Sequence, residues 1–386
     1  MSSHNRVAMD SHYINLDANA SVPVLPAAQQ ALWRVLQQQG NPSSPHGLGR
    51  RLRQVLDSTR MAVAAALGGA DQDVFFTSGA SEGNRWLVDA VAASSLAAAK
   101  PFTVVTTPLE HASVSKPLQH AAAQQAFALH TFCTLQQNGH FTIVRQQLQR
   151  ADVVFATAAH NETGWCMPWQ QLLPHCSPHA IVIADAAQAV ARLGVLPQRV
   201  DAIVMSAHKM GAVAGCGAVL LRGNARRLAP PWQGGAQEGG LRPGTEATAL
   251  IAALGEAAAN ITRMRQQCAQ LASLRDRLQQ RLLHAWPHAQ AVAADAARLC
   301  NTTAITLKHV DAEGLRIAMD QTGVCIGFGS ACSSLAPESS PALLAMGLSP
   351  NRARATMRFS LSHETTQQQI DEALQRIVPV GLQLLQ

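Results

Sequence analysis

The sequence predicts an α/β protein, with a large domain built on a mainly parallel sheet covered by helices and a smaller α+β domain after it. Three observations lead there. First, short β-rich runs, D-V-F-F-T (73–77), T-V-V-T (103–106), D-V-V-F-A-T (152–157), A-I-V-I-A-D (180–185), D-A-I-V-M-S (201–206) and G-A-V-L-L (217–221), alternate with longer helical patterns. That alternation is the mark of strands joined by helical crossovers. Second, the pattern changes from about 246 to 285 into a long helical stretch, including L-A-S-L-R-D-R-L-Q-Q-R-L-L with apolar residues at helical spacing, which reads as a connector. Beyond it T-T-A-I-T-L, V-C-I-G-F-G and A-T-M-R-F-S-L read as strands between helices. Third, 386 residues exceed what one hydrophobic core usually serves.

Composition narrows the function classes. Apolar residues make up 47% and charged residues 14%, which fits a packed globular chain. The net charge is +6, but only four of the 30 basic residues are lysines and the arginines are scattered. With aromatics at 4% and Tyr13 the single tyrosine, there is no basic stripe with interleaved aromatics, so direct nucleic-acid binding is not expected. An anionic substrate or cofactor accounts for the arginines equally well. The eight cysteines lie far apart and the N-terminus, M-S-S-H-N-R, has no apolar signal region, so a reducing cytoplasm is expected. No C-x-x-C pair suggests a metal site, and no apolar run approaches the ~20 residues that span a membrane.

Polar and small residues gather after several strands, at Thr77-Ser78-Gly79, Asp185 and Ser206, where open α/β sheets bind ligands. Of the lysines, Lys209 stands at a strand end in Ser206-Ala207-His208-Lys209, which suits an imine-forming amine; a surface lysine would read the same way. Asp185 ends the apolar strand I-V-I-A, where a carboxylate needs a partner such as a pyridinium nitrogen, or else serves as a helix N-cap. Gln188 follows one helical turn later, within reach of a ring oxygen. The turn Thr77-Ser78-Gly79-Ala80-Ser81-Glu82 opens a helical pattern and could hold phosphate on backbone amides, or could be a capping box with Ser78 or Thr77 as the cap. Cys332 sits in G-F-G-S-A-C-S-S-L-A-P-E, a polar, glycine-containing setting that suits an accessible thiol; the other reading is a small core residue. Cys325, in the apolar run V-C-I, is expected to point into the core.

Taken in order, T-S-G-A-S-E, E-H-A-S-V around His111, N-E-T-G around Asn161, D-A-A-Q, S-A-H-K and L-R-P-G-T resemble the cysteine desulfurases of the class V aminotransferase family. The likeness extends to L-D-A-N-A-S, G-N-P-S-S-P-H, G-S-A-C-S-S and R-F-S-L, almost the whole chain. It implies aminotransferase fold type I, with a seven-stranded sheet in a pyridoxal-phosphate-binding domain over 16–262. A small domain from 1–15 and 263–386 would carry the catalytic cysteine loop.

The resemblance also implies roles. Lys209 would carry pyridoxal 5'-phosphate, with His111 stacked on the ring and assisting proton transfer. Gly79, Ala80, Ser81, Ser206 and His208 would hold the phosphate, Thr245 would reach the phosphate of a neighbouring subunit in a homodimer, and Asp185 and Gln188 would meet the ring. Asn161 would orient cofactor and substrate, Arg358 would pair with the carboxylate of L-cysteine, and Cys332 would take the sulfur as a persulfide for an acceptor protein, an iron–sulfur scaffold or a sulfur carrier. Arg358 could equally be a buried structural arginine. A selenocysteine lyase or related lyase or aminotransferase, and a non-catalytic relative, are the competing readings.

The chain departs from the family pattern at several points. M-G-A-V-A-G-C-G follows Lys209 where the family usually has an aromatic residue and Gly-Pro, His160 stands where a second Asn is usual, and Gly239 replaces an arginine. The chain also ends at Gln386 without the C-terminal extension of housekeeping members, so the usual scaffold contact is not expected.

Overall fold

Runs of β-branched and aliphatic residues without polar interruption suit strands covered on both faces, and the central strands are of that kind. The computed structural model describes residues 13–329 and 339–385. Its strands are β1 (Ile14–Asn15), β2 (Val74–Thr77), β3 (Phe102–Thr106), β4 (Phe127–Thr131), β5 (Cys133–Leu135), β6 (Phe141–Ile143), β7 (Val153–Phe155), β8 (Ile181–Asp185), β9 (Ala202–Ser206), β10 (Gly217–Leu221), β11 (Gln290–Val292), β12 (Thr302–Thr306), β13 (Val324–Cys325), β14 (Gly327–Phe328) and β15 (Thr356–Ser360). One sheet has seven strands in the order β2-β10-β9-β8-β7-β3-β4. From β9 to β4 neighbours pair in parallel, and only β10 runs antiparallel, to both β9 and β2. Every residue of β8, β9 and β10 is buried.

The six β-rich runs fold as β2, β3, β7, β8, β9 and β10. The edge strand β4 and the β5–β6 hairpin were not legible, because F-A-L-H-T carries exposed polar positions that break the apolar run. The connector is three helices, Thr248–Ala259, Ile261–Gln266 and Cys268–Ala285, interrupted at Asn260 and Gln267. After it, β11, β12, β15 and β14 form an antiparallel sheet. That sheet packs its own core, in which Leu278, Leu282, Trp286, Met357, Phe359, Ile370 and Ile377 are buried. β1 pairs in parallel with β13, and Ile14 and Leu16 join this second core.

The C-terminal ends of β2, β8 and β9 lie on one edge of the large sheet, bringing Thr77, Asp185 and Ser206 together. Gly217 of β10 is paired with both Thr77 and Ser206. A Cβ there would lie 2.6 Å from the Met205 carbonyl oxygen and 2.7 Å from Gly79 Cα, which are backbone atoms that cannot rotate away. Gly217→Ala should therefore destabilise the fold by about 1–3 kcal/mol and disturb the turn after β2. Denaturant unfolding checks this, and an unchanged midpoint would refute the close packing.

Candidate active site

Anion-binding geometry begins at the turn after β2. The Ala80–Leu96 helix has Gly79 as its N-cap with no side-chain cap, so neither Thr77 nor Ser78 completes a capping box. Thr77 Oγ1 donates instead to the Gly79 carbonyl at 3.0 Å, and the Ser78 amide donates to Glu82 Oε2 at 2.7 Å. Glu82 is in turn held by Arg242, whose Nε donates to Oε1 at 2.8 Å. First-turn amides without a side-chain cap, together with the Ser81, Ser206 and His208 side chains, form a donor-rich end suited to a phosphate.

Asp185 stands 9% exposed at the close of β8. Asn84 Nδ2 donates to its Oδ2 at 2.8 Å and the Ala187 amide to its Oδ1 at 2.9 Å. Turns, not a helix, follow it, so the helix-cap reading of Asp185 is not realised. Lys209 ends the short 3-10 turn Ala207–Lys209, and its Nζ donates to the Asn19 carbonyl at 3.0 Å. Gln188 Nε2 donates to the same carbonyl at 2.9 Å, while its Oε1 accepts from Arg192 Nη1 at 2.9 Å. Both ends of that amide are thus committed to protein partners.

His111 caps the Ala112–Ala123 helix, its Nδ1 accepting from the Ser113 amide at 3.1 Å. That bond assigns the ring proton of the neutral form to Nε2. Burial lowers the His111 pKa and the Lys209 charge lowers it further, against an opposing pull from Asp185. Beside it Glu110 is buried, with Oε1 accepting from Thr107 Oγ1 and from the Thr157 amide, each at 2.7 Å. Its Oε2 is buried without a hydrogen-bond partner among the described residues. Burial, and the nearby Asp185, push Glu110 up to about 8. His160 is fully enclosed, 3.0 Å from Thr163 Oγ1 through Nδ1, and burial with Arg358 nearby drives it down to about 3. It is therefore a neutral, structural imidazole.

A cavity of about 310 Å³ collects most of the sequence-derived site: Gly79, Ala80, Ser81, His111, Asn161, Asp185, Gln188, Ser206, His208 and Lys209 all line it. Two predicted residues do not. Thr245 is exposed and away from the cavity of its own chain. Arg358, 5% exposed on β15, is ion-paired with Asp17 and lies one residue behind the wall, with Nη1 donating to the Asn161 carbonyl at 3.4 Å. Gly327 of β14 pairs with Arg358, and a Cβ there would come within 2.7 Å of the guanidinium. Gly327 thus lies directly beside Arg358; Cys332, farther along the chain, lies outside the described residues. Cys325 is half-buried, not in the core as its apolar run implied, because β13 is a two-residue strand of a minor sheet.

Three residues at the site were not legible as site residues. Asn19 is 1% exposed and carries the carbonyl shared by Lys209 and Gln188. Asn84 orients Asp185, and Glu110 ties the strand ends behind it. Asn19 and Glu110 fall inside quoted motifs, L-D-A-N-A-S and E-H-A-S-V, but nothing local assigns them a partner.

The model of the aminotransferase class-V family matches residues 14–373. The chain belongs to that family. Cysteine desulfurase of Cereibacter sphaeroides is 35% identical over 382 residues, covering 96% of this chain and 96% of the relative. Cysteine desulfurase 2 of Trichormus variabilis is 33% identical over 374 residues, covering 95% and 92%. Among solved structures a NifS-like protein superposes with a TM-score of 0.85 at 24% identity, covering 95% of this chain and 99% of that one, which shows a shared fold.

The buried Glu110 carboxyl gives a pH test. Its pKa is raised from the ordinary 4.5 to about 8, so the folded chain holds this proton more tightly than the unfolded chain does. The resulting stability is fully present below pH 4.5 and is lost as pH rises through about 8. Glu110→Gln removes that loss, so the variant's melting temperature should gain on the native protein's as pH rises across this window. A pH-independent difference between the two melting curves would refute a protonated Glu110.

Proposed function

We propose that the chain is a pyridoxal-phosphate-dependent cysteine desulfurase, which converts L-cysteine to L-alanine and holds the sulfur as a persulfide on Cys332 for an acceptor protein. The observation that carries this reading is one cavity lined by an amine (Lys209), a carboxylate (Asp185), an imidazole (His111) and a donor-rich end (Ser81, Ser206, His208), in a chain matched along its length by cysteine desulfurases. The cavity fits the cofactor chemically, since phosphate donors, a carboxylate able to pair with a ring nitrogen and a primary amine line one space. Lys209 would hold the aldehyde carbon, Asp185 the ring nitrogen, and Gly79, Ala80, Ser81, Ser206 and His208 the phosphate. When bound, pyridoxal phosphate supplies a carbon that takes up an amine and a ring that accepts the electron pair released at the substrate's α-carbon.

The chain's own residues would do the rest. His111, held toward its neutral form by burial with Nδ1 bound to the Ser113 amide, would offer its Nε2–H as a donor, and Lys209 Nζ could carry a proton across the cavity. Asn161 and Arg358 would orient the substrate, the guanidinium gripping the carboxylate. Cys332 Sγ would bond to the substrate sulfur as the substrate's carbon–sulfur bond breaks, leaving alanine and a persulfide. Thr245, exposed on its own chain, is free to serve a neighbouring subunit, which supports a homodimer. The large domain would span 16–262, and 1–15 with 263–386 the smaller one. Seven free cysteines among the described residues, and no helix there long and apolar enough to cross a membrane, support a cytoplasmic protein. We take the acceptor to be an iron–sulfur scaffold or another sulfur carrier.

Purified holoenzyme given L-cysteine and a reductant should form alanine and sulfide in equal amounts. Cys332→Ser should retain cofactor absorbance and substrate binding but lose sulfide release, because a serine hydroxyl is a far poorer nucleophile toward sulfur than a partly ionised thiol. Near-native sulfide release from that variant would favour a lyase in which Cys332 is dispensable. Arg358→Lys should keep the cofactor and weaken substrate binding by about 2 kcal/mol, read as the substrate constant. An unchanged constant would return Arg358 to a structural role.

A further inference from the structure

Glu82 brings a carboxylate to the donor-rich end of the cavity. It is the third residue of the Ala80–Leu96 helix and lines the cavity together with Ser78, Gly79, Ala80 and Ser81. Burial raises its carboxyl, but the bonds from Arg242 and Ser78 together outweigh burial and hold it low, so the group is ionised. A glutamate at this helix position ordinarily reaches back to the amide of the cap residue and closes a capping box. The cap amide here, that of Gly79, has only a long 3.4 Å contact to Thr77 Oγ1 and would be open to it. Glu82 instead reaches one residue further, to the Ser78 amide at 2.7 Å, with Arg242 Nε on its Oε1 at 2.8 Å and Arg242 Nη2 on its Oε2 at 3.4 Å.

Arg242 is held in place for this contact. It is the single basic residue between positions 229 and 262, so no second cation stands in for it on its loop. That loop is tied to the elements that carry the turn after β2. Trp86 Nε1, from the Ala80–Leu96 helix, donates to the Leu241 carbonyl at 3.0 Å. Four residues before Arg242, the buried Glu238 accepts a guanidinium fork from Arg60, two bonds of 2.9 Å, and the Phe76 amide of β2 at 2.8 Å. Glu238 has a left-handed backbone, φ 49° and ψ 41°, a conformation that a residue other than glycine keeps only where its surroundings over-determine it. The Arg60 fork and the Phe76 amide do so here, and they fix the loop from which Arg242 meets Glu82.

We propose that Arg242 is a positioning residue for phosphate binding: its ion pair offsets the charge of Glu82 and keeps that carboxylate off the first-turn amides, which stay available to the phosphate of an aldehyde held by Lys209. The inference rests on the pyridoxal-phosphate reading of the cavity. Without Arg242 the carboxylate stands unpaired beside donors suited to a dianion, where it repels the phosphate and competes for the same amides. Neutralising Glu82 removes both effects at once. The role of Arg242 is therefore conditional on Glu82, and it concerns the phosphate alone, not the ring or the aldehyde.

The test titrates the full-length protein, freed of cofactor, with pyridoxal phosphate and separately with pyridoxal, which has the same ring and aldehyde but no phosphate. Binding is followed by the absorbance of the bound aldehyde. Native protein should prefer pyridoxal phosphate. Arg242→Gln should weaken pyridoxal phosphate about tenfold and leave pyridoxal unchanged, and adding Glu82→Gln to that variant should restore most of the loss. Arg242→Lys, which keeps the charge without the fork, should fall between. An Arg242→Gln variant that weakens both aldehydes alike, or a double variant that binds pyridoxal phosphate more weakly still, would reduce Arg242 to a structural part and overturn the proposal. Should Arg242→Gln melt below the assay temperature, Glu82→Gln alone decides: it should hold pyridoxal phosphate at least as tightly as native protein, and weaker binding overturns the proposal. Native protein that binds the two aldehydes equally would sink the phosphate reading of the cavity together with this inference, whereas a native preference that Arg242→Gln retains in full sinks this inference alone.

Discussion

Burying Asn19 with every polar group partnered is the constraint that joins the two sheets at the cavity. Its amide donates to Ser360 Oγ at 2.9 Å, and its Nδ2 to Thr302 Oγ1 at 2.9 Å and the Asn161 carbonyl at 3.0 Å. Its Oδ1 accepts from Asn301 Nδ2 at 3.1 Å, and its carbonyl from Lys209 and Gln188. Leaving any buried one of these unmade would cost about 1–3 kcal/mol. The loops bearing Asn161, Gln188 and Lys209 therefore hold one arrangement relative to β12 and β15. The amine of the site is aimed by a residue that does no chemistry.

What the sequence revealed, and what it hid, follows from how far each signal reaches. The runs at 74–77, 181–185 and 202–206 are self-contained, since a continuous apolar stretch ending in Thr, Asp or Ser declares both a strand and its ligand-binding end. The resemblance then assigned roles to residues that proved to share one cavity, from Ser81 to Lys209. Asn19 could not be found this way, because its side-chain partners lie 142 to 283 residues distant. The two readings of the turn after β2 were separable only in three dimensions, where Glu82 turns to the Ser78 amide and Arg242 and no side chain caps the helix.

Electrostatics at the wall depend on keeping charge number low. Asp185 has Asn84 and a backbone amide as donors, a neutral pair that fixes its direction. Glu110 is buried, and burial pushes its carboxyl up to about 8, so near neutral pH it adds no second negative charge beside Asp185. His160 and His111 are likewise held toward their neutral forms by burial. In the proposed desulfurase the charged groups beside the cavity include two ion pairs, Arg358 with Asp17 and Arg242 with Glu82. His160, standing where the family pattern has an asparagine, fills its place by packing and by its contact with Thr163 rather than by carrying charge.

Arg358 shows how such a balance can still leave room for a substrate. A guanidinium 5% exposed would be expensive to bury alone, and Asp17 offsets that cost by direct ion pairing. The partner is not fully enclosed, however, with the Asp17 side chain 25% accessible. The remaining contact on Nη1 is a long one, 3.4 Å to the Asn161 carbonyl, and Nε has no partner among the described residues. Five donors in a rigid fork exceed what Asp17 and that carbonyl can saturate. In the proposed desulfurase Nη1 would donate to a substrate carboxylate arriving through the Asn161 side of the cavity without breaking the Asp17 pair, which Nη2 makes. Gly327 keeps the opposite face clear for the fork to lie flat, since any side chain at that position would occupy the guanidinium's own space.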